Sequence, residues 1–538
     1  MHLNDSELKN TSVWQEAGFQ LPAFDRQTMI STTHDHPVWV HFGAGNIFRA
    51  FPAVLQQSLL NQGLAKSGII VVEGYDTEII DRLYLPHDNL SVLVTLKSEG
   101  SIEKTVIGSI AESLKADSDN RADIDRLKEI FRNPELQIVS FTITEKGYSL
   151  TKGNGELLPD VHEDLNVGPA SPHSYIGKVA ALLLERFNHG KLPIALVSLD
   201  NCSHNGTKLY DAIHAFSERW TVLGLAEKGF SDYINDPKYV SFTWSMIDKI
   251  TPRPDSSVER MLSAVGFEDT ESIITRKNTY AAPFVNAEEA QYLIIEDRFP
   301  NGRPALEQVG VIFTDRSTVD KVEKMKVCTC LNPLHTALAI FGCLLGYTKI
   351  SDEMKDADLR KLVEIIGYKE GLPVVIDPGI LSPKAFIDEV LQIRIPNPFM
   401  PDTPQRIATD TSQKLSIRFG ETIKAYISSE QLDVSQLRLI PFVLAAWCRY
   451  LLGTDDNGVT FVVSSDPMLE SLSQQLKGLA LGQTGPFTDS LFPILSNEVI
   501  FGINLVQAGL GELVATDFTE MMAGPGAVRS ALKKHLAD

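Results

Sequence analysis

The sequence is poor in cysteine, in positive charge and in long apolar runs, and each shortage argues against a class of protein. Five Cys residues in 538, with no regular pairing, do not form a disulfide framework and suit a reducing compartment. The 69 acidic residues outnumber the 49 basic ones and give a formal net charge of -20. Such a chain repels nucleic acid and anionic lipid unless it carries a basic patch, and the sequence shows none.

Membrane and secretion signals are also missing. The longest apolar run, residues 336–347, is shorter than the roughly 20 residues that cross a bilayer. Residues 1–7 lack the basic segment and apolar core of a signal peptide. We therefore expect a soluble, cytoplasmic protein without nucleic-acid or membrane partners. The length favours two domains, and we place them at residues 1–316 and 317–538.

A strand, glycine turn, helix and second strand follow one another between residues 38 and 73. The apolar run 38–42 leads into Gly43-Ala-Gly45, a helical pattern covers 50–62, and an apolar run covers 68–73. This order is typical of a dinucleotide-binding unit, in which the turn lets backbone N–H groups approach a pyrophosphate. Phe48 stands where the full fingerprint has a third glycine, so a purely structural turn is the alternative.

The turn also predicts which residues hold the cofactor. Glu73 and Asp76 follow the second strand, where an acid accepts hydrogen bonds from the adenosine ribose, although two solvated loop acids are an equally good interpretation. No Arg adjoins them to neutralise a 2′-phosphate, so we expect NAD rather than NADP. The other predicted cofactor-binding residues are Gly43, Gly45, Asn46, Ile47, Phe48 and Arg49.

Two further apolar runs, 138–144 and 194–199, predict strands of a parallel sheet with both faces buried. Polar residues follow each run: Glu145 after the first, and Asn201, His204 and Asn205 after the second. Ligands of open α/β sheets collect beyond the carboxyl ends of the strands, so these loops should wall the site. Taken alone, Asn205-Gly206 is also a turn signal and His204 an ordinary structural residue. Asp248 follows an apolar run farther on, and its alternative role is a structural ion pair.

The stretch 326–335 combines Lys326, Asn332 and His335 ahead of the apolar run. A buried lysine loses part of its preference for the charged form and can act as a base. A side-chain amide such as that of Asn332 could stabilise a developing oxyanion without a metal. The bland alternative for His335 is a core histidine with a backbone partner. Cys328-Thr-Cys330 lacks a second ligand pair for zinc, and no Gly-x-Ser-x-Gly elbow marks a hydrolase.

Six motifs occur in one order along most of the chain. They are residues 41–49 (His-Phe-Gly-Ala-Gly-Asn-Ile-Phe-Arg), 142–148 (Thr-Ile-Thr-Glu-Lys-Gly-Tyr), 198–206 (Ser-Leu-Asp-Asn-Cys-Ser-His-Asn-Gly), 245–252 (Ser-Met-Ile-Asp-Lys-Ile-Thr-Pro), 331–338 (Leu-Asn-Pro-Leu-His-Thr-Ala-Leu) and 397–414, which holds Arg406 and Lys414. Together they resemble the polyol-specific long-chain dehydrogenase/reductase family.

The resemblance implies a Rossmann-type N-terminal domain, a mostly α-helical C-terminal domain and zinc-independent, NAD-linked oxidation of a secondary alcohol. It implies that Lys326 is the general base, that Asn201 and Asn332 bind the oxyanion, and that His335 contacts substrate hydroxyls. The remaining implied roles are substrate binding by Asp248, Arg406 and Lys414 and a proton relay through Glu145. We add Asn205 to the substrate-binding set.

The spacing from Lys326 to Asn332 is one residue longer than the family's usual spacing, and Pro333 follows the asparagine. One extra residue turns an α-helix by about 100°, which would move Lys326 off the shared face. Either a bulge or kink absorbs the residue, or Asn332 caps a new helix with Pro333 at its first position. Lys324 is the alternative base.

The C-terminal half reads as helices at 319–330, 333–347, 352–366, 437–452 and 468–477, with a Pro-rich loop at 392–406. We interpret Arg394 as a surface residue of this loop, where the prolines make the chain a rigid connection across the protein surface. Arg406 and Lys414 could hold a carboxylate, which favours a sugar acid over a neutral polyol. Among the reactions that the family resemblance implies, we therefore expect interconversion of D-mannonate and D-fructuronate, by a monomer or homodimer. Mannitol or tagaturonate chemistry, a non-catalytic NAD(H)-binding sensor and an acidic scaffold without a ligand are the alternatives.

Overall fold

The computed structural model describes residues 1–537, and the chain divides into two units. The first comprises Met1–Lys97 and Ser101–Asp320, and the second comprises Lys321–Asp538 together with Ser98–Gly100. The division lies close to the boundary placed between residues 316 and 317 from the sequence. The division falls inside a helix, Arg316–Lys324, rather than in a linker.

A six-stranded parallel sheet forms the centre of the first unit. Its strands are β1 (Trp39–Phe42), β2 (Ile69–Glu73), β3 (Ile110–Lys115), β4 (Ile138–Phe141), β5 (Ile194–Ser198) and β6 (Val240–Thr243). They lie in the order β3-β2-β1-β4-β5-β6 and all pairs are parallel. This is the Rossmann strand order, which confirms the predicted fold. All residues of the central strands β1, β2, β4 and β5 are buried, as helices on both faces require.

Two apolar layers cover the sheet. The helices involved are α1 (Asn46–Ala50), α2 (Pro52–Asn61), α3 (Arg121–Arg132), α4 (Tyr175–Asn188) and α5 (Asn205–Val222). Leu127 of α3, Leu183 of α4 and Phe216 of α5 belong to one buried cluster. Leu55 and Leu59 of α2 belong to the cluster on the other face. The sheet is therefore enclosed on both faces, and its carboxyl edge is left for ligands.

Smaller sheets and short helices complete the first unit. Strands β7 (Ser245–Asp248), β8 (Tyr292–Glu296) and β9 (Ile312–Thr314) form a three-stranded sheet. A four-stranded sheet contains Phe19–Gln20, Ile102–Ile107, Ser91–Leu96 and Phe284–Glu288, and a ribbon pairs Ile273–Ile274 with Tyr280–Ala281. The other helices and helical turns are Glu7–Lys9, Thr11–Glu16, Arg26–Asp35, Ile80–Tyr84, Leu85–His87, Thr144–Gly147, Pro159–Val167, Gly229–Asn235, Ser256–Ala264 and Leu306–Val309.

The second unit is helical, as predicted. The division falls within α6 (Arg316–Lys324), and the unit's central helices are α7 (Asn332–Leu345), α8 (Leu439–Tyr450) and α9 (Gly511–Met521). Helix α8 is buried along its whole length and packs against α7 and α9. The other helices are Ile350–Glu353, Ala357–Ile365, Pro383–Glu389, Pro404–Ile407, Glu421–Ser428, Leu469–Gln475, Thr488–Leu495, Glu498–Phe501 and Ala527–Ala537. Shorter π or 3₁₀ turns are Met325–Cys330, Ile366–Gly371, Leu372–Val374, Val390–Arg394, Thr411–Gln413, Ser416–Gly420 and Val434–Gln436.

The continuous helical segment Arg316–Leu345 is long and apolar enough to cross a membrane, but 72% of its most apolar window is buried inside the protein. Eleven of the 14 residues of α7 are buried. This burial is typical of a core helix. The apolar run at 336–347 is therefore explained by packing within the second unit.

Candidate active site

The glycine turn joins β1 to α1, and each of its two glycines has a different role. Gly43 has φ +110°, and a Cβ there would lie 2.2 Å from the carbonyl oxygen of Thr142. A side chain is therefore excluded by the neighbouring strand. A Cβ on Gly45 would meet no atom within 4 Å. The space beside Gly45 is open, as an approaching pyrophosphate would require.

Glu73 braces this turn, and Asp76 is hydrogen-bonded to the loop between residues 274 and 280. The carboxylate of Glu73 accepts hydrogen bonds from the backbone N–H groups of Ala44 at 2.9 Å and Tyr75 at 2.8 Å. Asp76 accepts from the hydroxyls of Thr275 and Thr279, both at 2.5 Å. Both acids are buried. The solvated-loop interpretation is therefore wrong, while their contact with a ribose remains a prediction.

Phe48 and Arg49 support the turn from inside the protein. Phe48 is fully buried and stacks on the ring of His41, with the centroids 4.3 Å apart. Arg49 is 1% exposed and donates to the carbonyl of Ala282 at 2.7 Å and to the side chain of Asn46 at 2.7 Å. The two side chains are therefore engaged inside the protein and support the turn, while contact of their backbone groups with the cofactor stays a prediction. Gly45, Asn46 and Ile47 are the partly exposed residues of the turn.

A cavity of about 300 Å³ lies at the carboxyl ends of β4 and β5 in the first unit. Its lining includes Ile47 from the glycine turn, Glu145 from the loop after β4 and Asn201 from the loop after β5. The two loops named from the sequence therefore wall one space together with the start of α1. Glu145 is exposed and pairs with Lys208 at 3.1 Å.

Asp200 holds these loops in place, a role that the sequence did not reveal. Its carboxylate accepts hydrogen bonds from the N–H groups of Ile143 at 2.9 Å and Thr144 at 2.8 Å, and from the hydroxyl of Tyr148 at 2.5 Å. Burial raises the pKa of Asp200, and these donors oppose the rise. The loop that carries Glu145 is thus tied to the end of β5. The only sequence signal was its position at the end of a strand.

Asn205 is a structural residue, contrary to our expectation of substrate contact. It is 1% exposed. Its amide group donates to the carbonyls of Asp200 at 3.0 Å and Ser245 at 2.9 Å, and its oxygen accepts from the N–H groups of Gly206 and Ser245. With its polar atoms engaged inside the protein, Asn205 links β5 to β7.

Asp248 ends β7 and is 5% exposed. Its neighbours Ile247 and Lys249 line the cavity. Because side chains alternate along a strand, Asp248 is directed to the opposite face of β7. Its role toward substrate stays a prediction.

In the second unit, the extra residue after Lys326 is absorbed by a π-helical turn, Met325–Cys330. The N–H of Leu331 bonds to the carbonyl of Lys326 at 3.0 Å, a bond five residues back along the chain. A new helix, α7, then begins at Asn332 with Pro333 in its first turn. The predicted bulge is therefore present, and a new helix does begin here, but Asn332 is its first residue and not its cap, because Leu331 takes the N-cap position. Lys326 is 4% exposed whereas Lys324 is exposed, which favours Lys326 as the base.

His335 lies one turn into α7 with its Nε2 3.4 Å from a carboxylate oxygen of Asp402. Burial lowers the pKa of His335 to about 3, and the guanidinium groups of Arg418, Arg406 and Arg394 lower it further. These effects outweigh the nearby carboxylate. The imidazole is therefore neutral near pH 7, with one nitrogen able to donate and the other to accept.

The cations predicted to hold a carboxylate lie in the same unit. Arg406 is 60% exposed and is ion-paired with Asp402. Lys414 donates to the carbonyl of Thr409 at 2.5 Å, and burial lowers its pKa. Arg394 is 4% exposed, so our interpretation of it as a surface crossing is wrong. Arg418 was missed altogether, because no motif includes it and only its four-residue spacing from Lys414 hinted at a shared helical face.

No group of three or more His, Cys, Asp and Glu side chains among residues 1–537 is arranged to hold a metal ion. A Rossmann sheet with a glycine turn, followed by a helical unit with a buried lysine, defines a dehydrogenase of the two-domain type.

Comparisons with known proteins agree with this class. The Mannitol dehydrogenase Rossmann domain matches residues 38–308, and the Mannitol dehydrogenase C-terminal domain matches residues 318–522. The chain therefore belongs to the mannitol dehydrogenase family and is an oxidoreductase that acts on CH–OH groups. The family and enzyme class predicted from the sequence are confirmed.

Three individual proteins show how similar the chain is to particular members of this class. The D-mannonate oxidoreductase of Thermotoga maritima is 53% identical over 536 residues, which cover 99% of each chain. The mannitol 2-dehydrogenase of Pseudomonas fluorescens, solved as a ternary complex with NAD and D-mannitol, is 28% identical, covers 100% of both chains and has a TM-score of 0.69. A D-sorbitol dehydrogenase structure is 25% identical over 99% of this chain and 100% of its own, with a TM-score of 0.82.

Proposed function

We propose that the chain is an NAD(H)-dependent oxidoreductase that interconverts D-mannonate and D-fructuronate. The observation that carries this proposal is the 53% identity, over 99% of both chains, to a D-mannonate oxidoreductase. The cluster of Arg394, Arg406, Arg418 and Lys414 in an otherwise acidic protein also favours an anionic substrate.

The first unit fits NAD. Its strand order, the open space beside Gly45 and the partly exposed Asn46 and Ile47 suit a dinucleotide at the start of α1. The related Pseudomonas fluorescens structure contains NAD. When bound, NAD accepts the hydride from the carbon that carries the reacting hydroxyl.

Residues of the protein remove the proton of the substrate hydroxyl and return it in the reverse reaction. We assign Lys326 as the base that takes this proton during alcohol oxidation and returns it during ketone reduction, since it is the buried lysine of the family's motif, at 4% exposure. Asn201 and Asn332 donate hydrogen bonds to the substrate oxygen as its negative charge grows. The neutral imidazole of His335 positions a neighbouring hydroxyl. Glu145, exposed at the cavity wall, passes the proton to solvent.

A substrate panel tests the proposed function. Purified protein with NADH should consume D-fructuronate with a kcat/KM at least tenfold higher than for D-tagaturonate or D-fructose, as followed by NADH absorbance. Preference for fructose would indicate mannitol chemistry. Tight NADH binding without turnover of any hexuronate or ketose would contradict the proposal and favour the sensor.

Alanine substitutions at the two turn glycines should have separate effects. Gly43→Ala should lower the stability of the first unit by about 1–3 kcal/mol, because the residue has φ +110° and a methyl group would overlap the carbonyl of Thr142. Gly45→Ala should leave the melting temperature unchanged, since φ is -81° and the new methyl group meets no protein atom. It should instead weaken NADH binding about tenfold, or about 1.4 kcal/mol, by filling the space assigned to the pyrophosphate. Scanning calorimetry and a fluorescence titration with NADH measure the two effects. Wild-type affinity for NADH in Gly45→Ala would contradict the assignment.

A further inference from the structure

Arg418 is a partly buried cation, and no ion pair with an acidic side chain is seen for it among residues 1–537. It lies in the π-helical turn Ser416–Gly420, and its Nη1 donates to the hydroxyl of Thr336 at 2.5 Å. Thr336 is the residue after His335 in α7. Burial lowers the pKa of Arg418 to about 10, and no carboxylate within residues 1–537 acts against that fall. This guanidinium has lost part of its solvation and has gained one hydrogen bond from the protein.

Two fully buried arginines, Arg186 and Arg449, donate their hydrogen bonds to backbone carbonyls instead. Arg186 donates to five backbone carbonyls, at 2.7–3.1 Å. Arg449 donates to the carbonyls of Thr454 at 2.6 Å and Asp455 at 3.1 Å. A guanidinium carries five N–H donors, and in Arg418 a single hydroxyl accepts from them. Arg418 therefore has donors left for an acceptor that the described residues do not supply.

The surroundings of Arg418 select an anion as that acceptor. Arg394, Arg406 and Lys414 are close enough to influence the same groups electrostatically. Of the nearby acids, Asp402 is ion-paired with Arg406, and Asp466 accepts from the N–H and hydroxyl of Ser412 at 2.8 and 2.5 Å. Asp410 remains as a partial counter-charge to Lys414. Arg418 and Lys414 therefore add positive charge beside His335, the residue assigned to substrate hydroxyls, and these three acids do not pair with Arg418.

We propose that Arg418 binds the carboxylate of the sugar-acid substrate and so selects sugar acids over neutral ketoses and polyols. This inference rests on the proposed function and assigns the residue that makes the enzyme prefer sugar acids. A carboxylate accepts two parallel hydrogen bonds from a guanidinium. A neutral sugar at the same place leaves the buried charge unpaired, so it is rejected. Arg406 is held by Asp402 and positions that acid against His335.

Steady-state kinetics of Arg418→Met test the proposal. The KM for D-fructuronate should rise about 100-fold, the equivalent of one charged hydrogen-bond pair, while kcat falls less than tenfold. Arg418→Lys, which keeps the charge without the planar fork, should recover part of the loss. Arg360→Met, an exposed arginine of the same unit paired with Glu364, serves as the matched control and should behave as wild type. A KM for Arg418→Met within threefold of wild type would overturn the proposal.

Binding measurements separate this inference from the proposed function and from misfolding. Calorimetric titration of the NADH complex with D-mannonate should show about 100-fold weaker binding in Arg418→Met, and D-mannitol binding should lose less than threefold. Equal losses for the acid and the polyol would indicate a structural role and overturn the inference. If wild type failed to turn over D-fructuronate, the proposed function would fail, and the same titration would still decide the role of Arg418. If Arg418→Met did not fold, equal affinities of wild type and Arg418→Lys for D-mannonate would overturn it.

Discussion

Replacing Lys326 with methionine is expected to lower kcat for D-fructuronate reduction about 1000-fold, within the range of general acid–base catalysis, with the affinity for NADH unchanged. Lys326 is 4% exposed and sits in the π-helical turn that leads into α7. Methionine has a similar shape and fills the same space, but it cannot hold a proton. The glycine turn assigned to NADH belongs to the first unit, so nucleotide binding should survive. Stopped-flow kinetics and a fluorescence titration measure the two quantities.

The matched control is Lys324→Met, two residues away at the end of α6, where the lysine is exposed. We expect its kcat to stay within twofold of wild type. A fall in kcat for Lys324→Met with near-normal turnover in Lys326→Met would reverse the assignment. It would mean that the π-helical turn has moved the base to the residue considered as the alternative.

Replacing Glu353 with glutamine is expected to stabilise the second unit by about 3 kcal/mol at pH 7. Glu353 is fully buried, and within residues 1–537 neither carboxyl oxygen has a hydrogen-bond partner. Its Oε1 lies against α7, only 2.1 Å from where a Cβ on Gly342 would stand. Burial raises the pKa of Glu353 from 4.5 to about 10. The folded protein therefore holds this acid protonated at neutral pH.

The direction of the effect follows from linkage. Below pH 4.5 both folded and unfolded states carry the proton, and the two proteins should be equally stable. As the pH rises from 4.5 towards 10, the unfolded state ionises while the folded state does not, so wild type loses stability progressively. Glutamine keeps the shape and never ionises. Calorimetry between pH 4 and 8 should show a gap that opens with pH and reaches about 6 °C or more at pH 7.

Glu430→Gln is the control, because Glu430 is exposed in a loop. Its melting temperature should follow wild type at every pH. If Glu353→Gln and wild type lose stability in parallel as the pH rises, Glu353 is not held protonated. The buried acid would then have to be compensated by a charge.

The main features of the fold could be predicted from the sequence because apolar runs and glycines act locally. Runs such as 138–144 and 194–199 have the length and composition of strands buried on both faces, and β4 and β5 lie within them. The chain order of these elements then restricts the topology to the Rossmann type. Long-range partners are not encoded locally, so the roles of Asp200 and Asn205 could not be separated. One braces the loops and the other links β5 to β7.

The site was predicted in part for the same reason. Lys326, Asn332 and His335 are close in sequence, and the irregular spacing itself indicated a bulge or a new helix, both of which are present. Arg394 and Arg418 could not be judged, since their burial depends on packing by helices distant in sequence. Phe48 and Arg49 adjoin the turn but face the interior.

Transfer of deuterium from NADH labelled at its reactive carbon tests the central claim most directly. The purified protein should convert D-fructuronate to D-mannonate that carries one deuterium, on the carbon that was the ketone, with one NADH consumed for each product molecule. Mass spectrometry of the product reads both quantities. Unlabelled mannonate, or labelled cofactor recovered intact after prolonged incubation with D-fructuronate, would contradict the account.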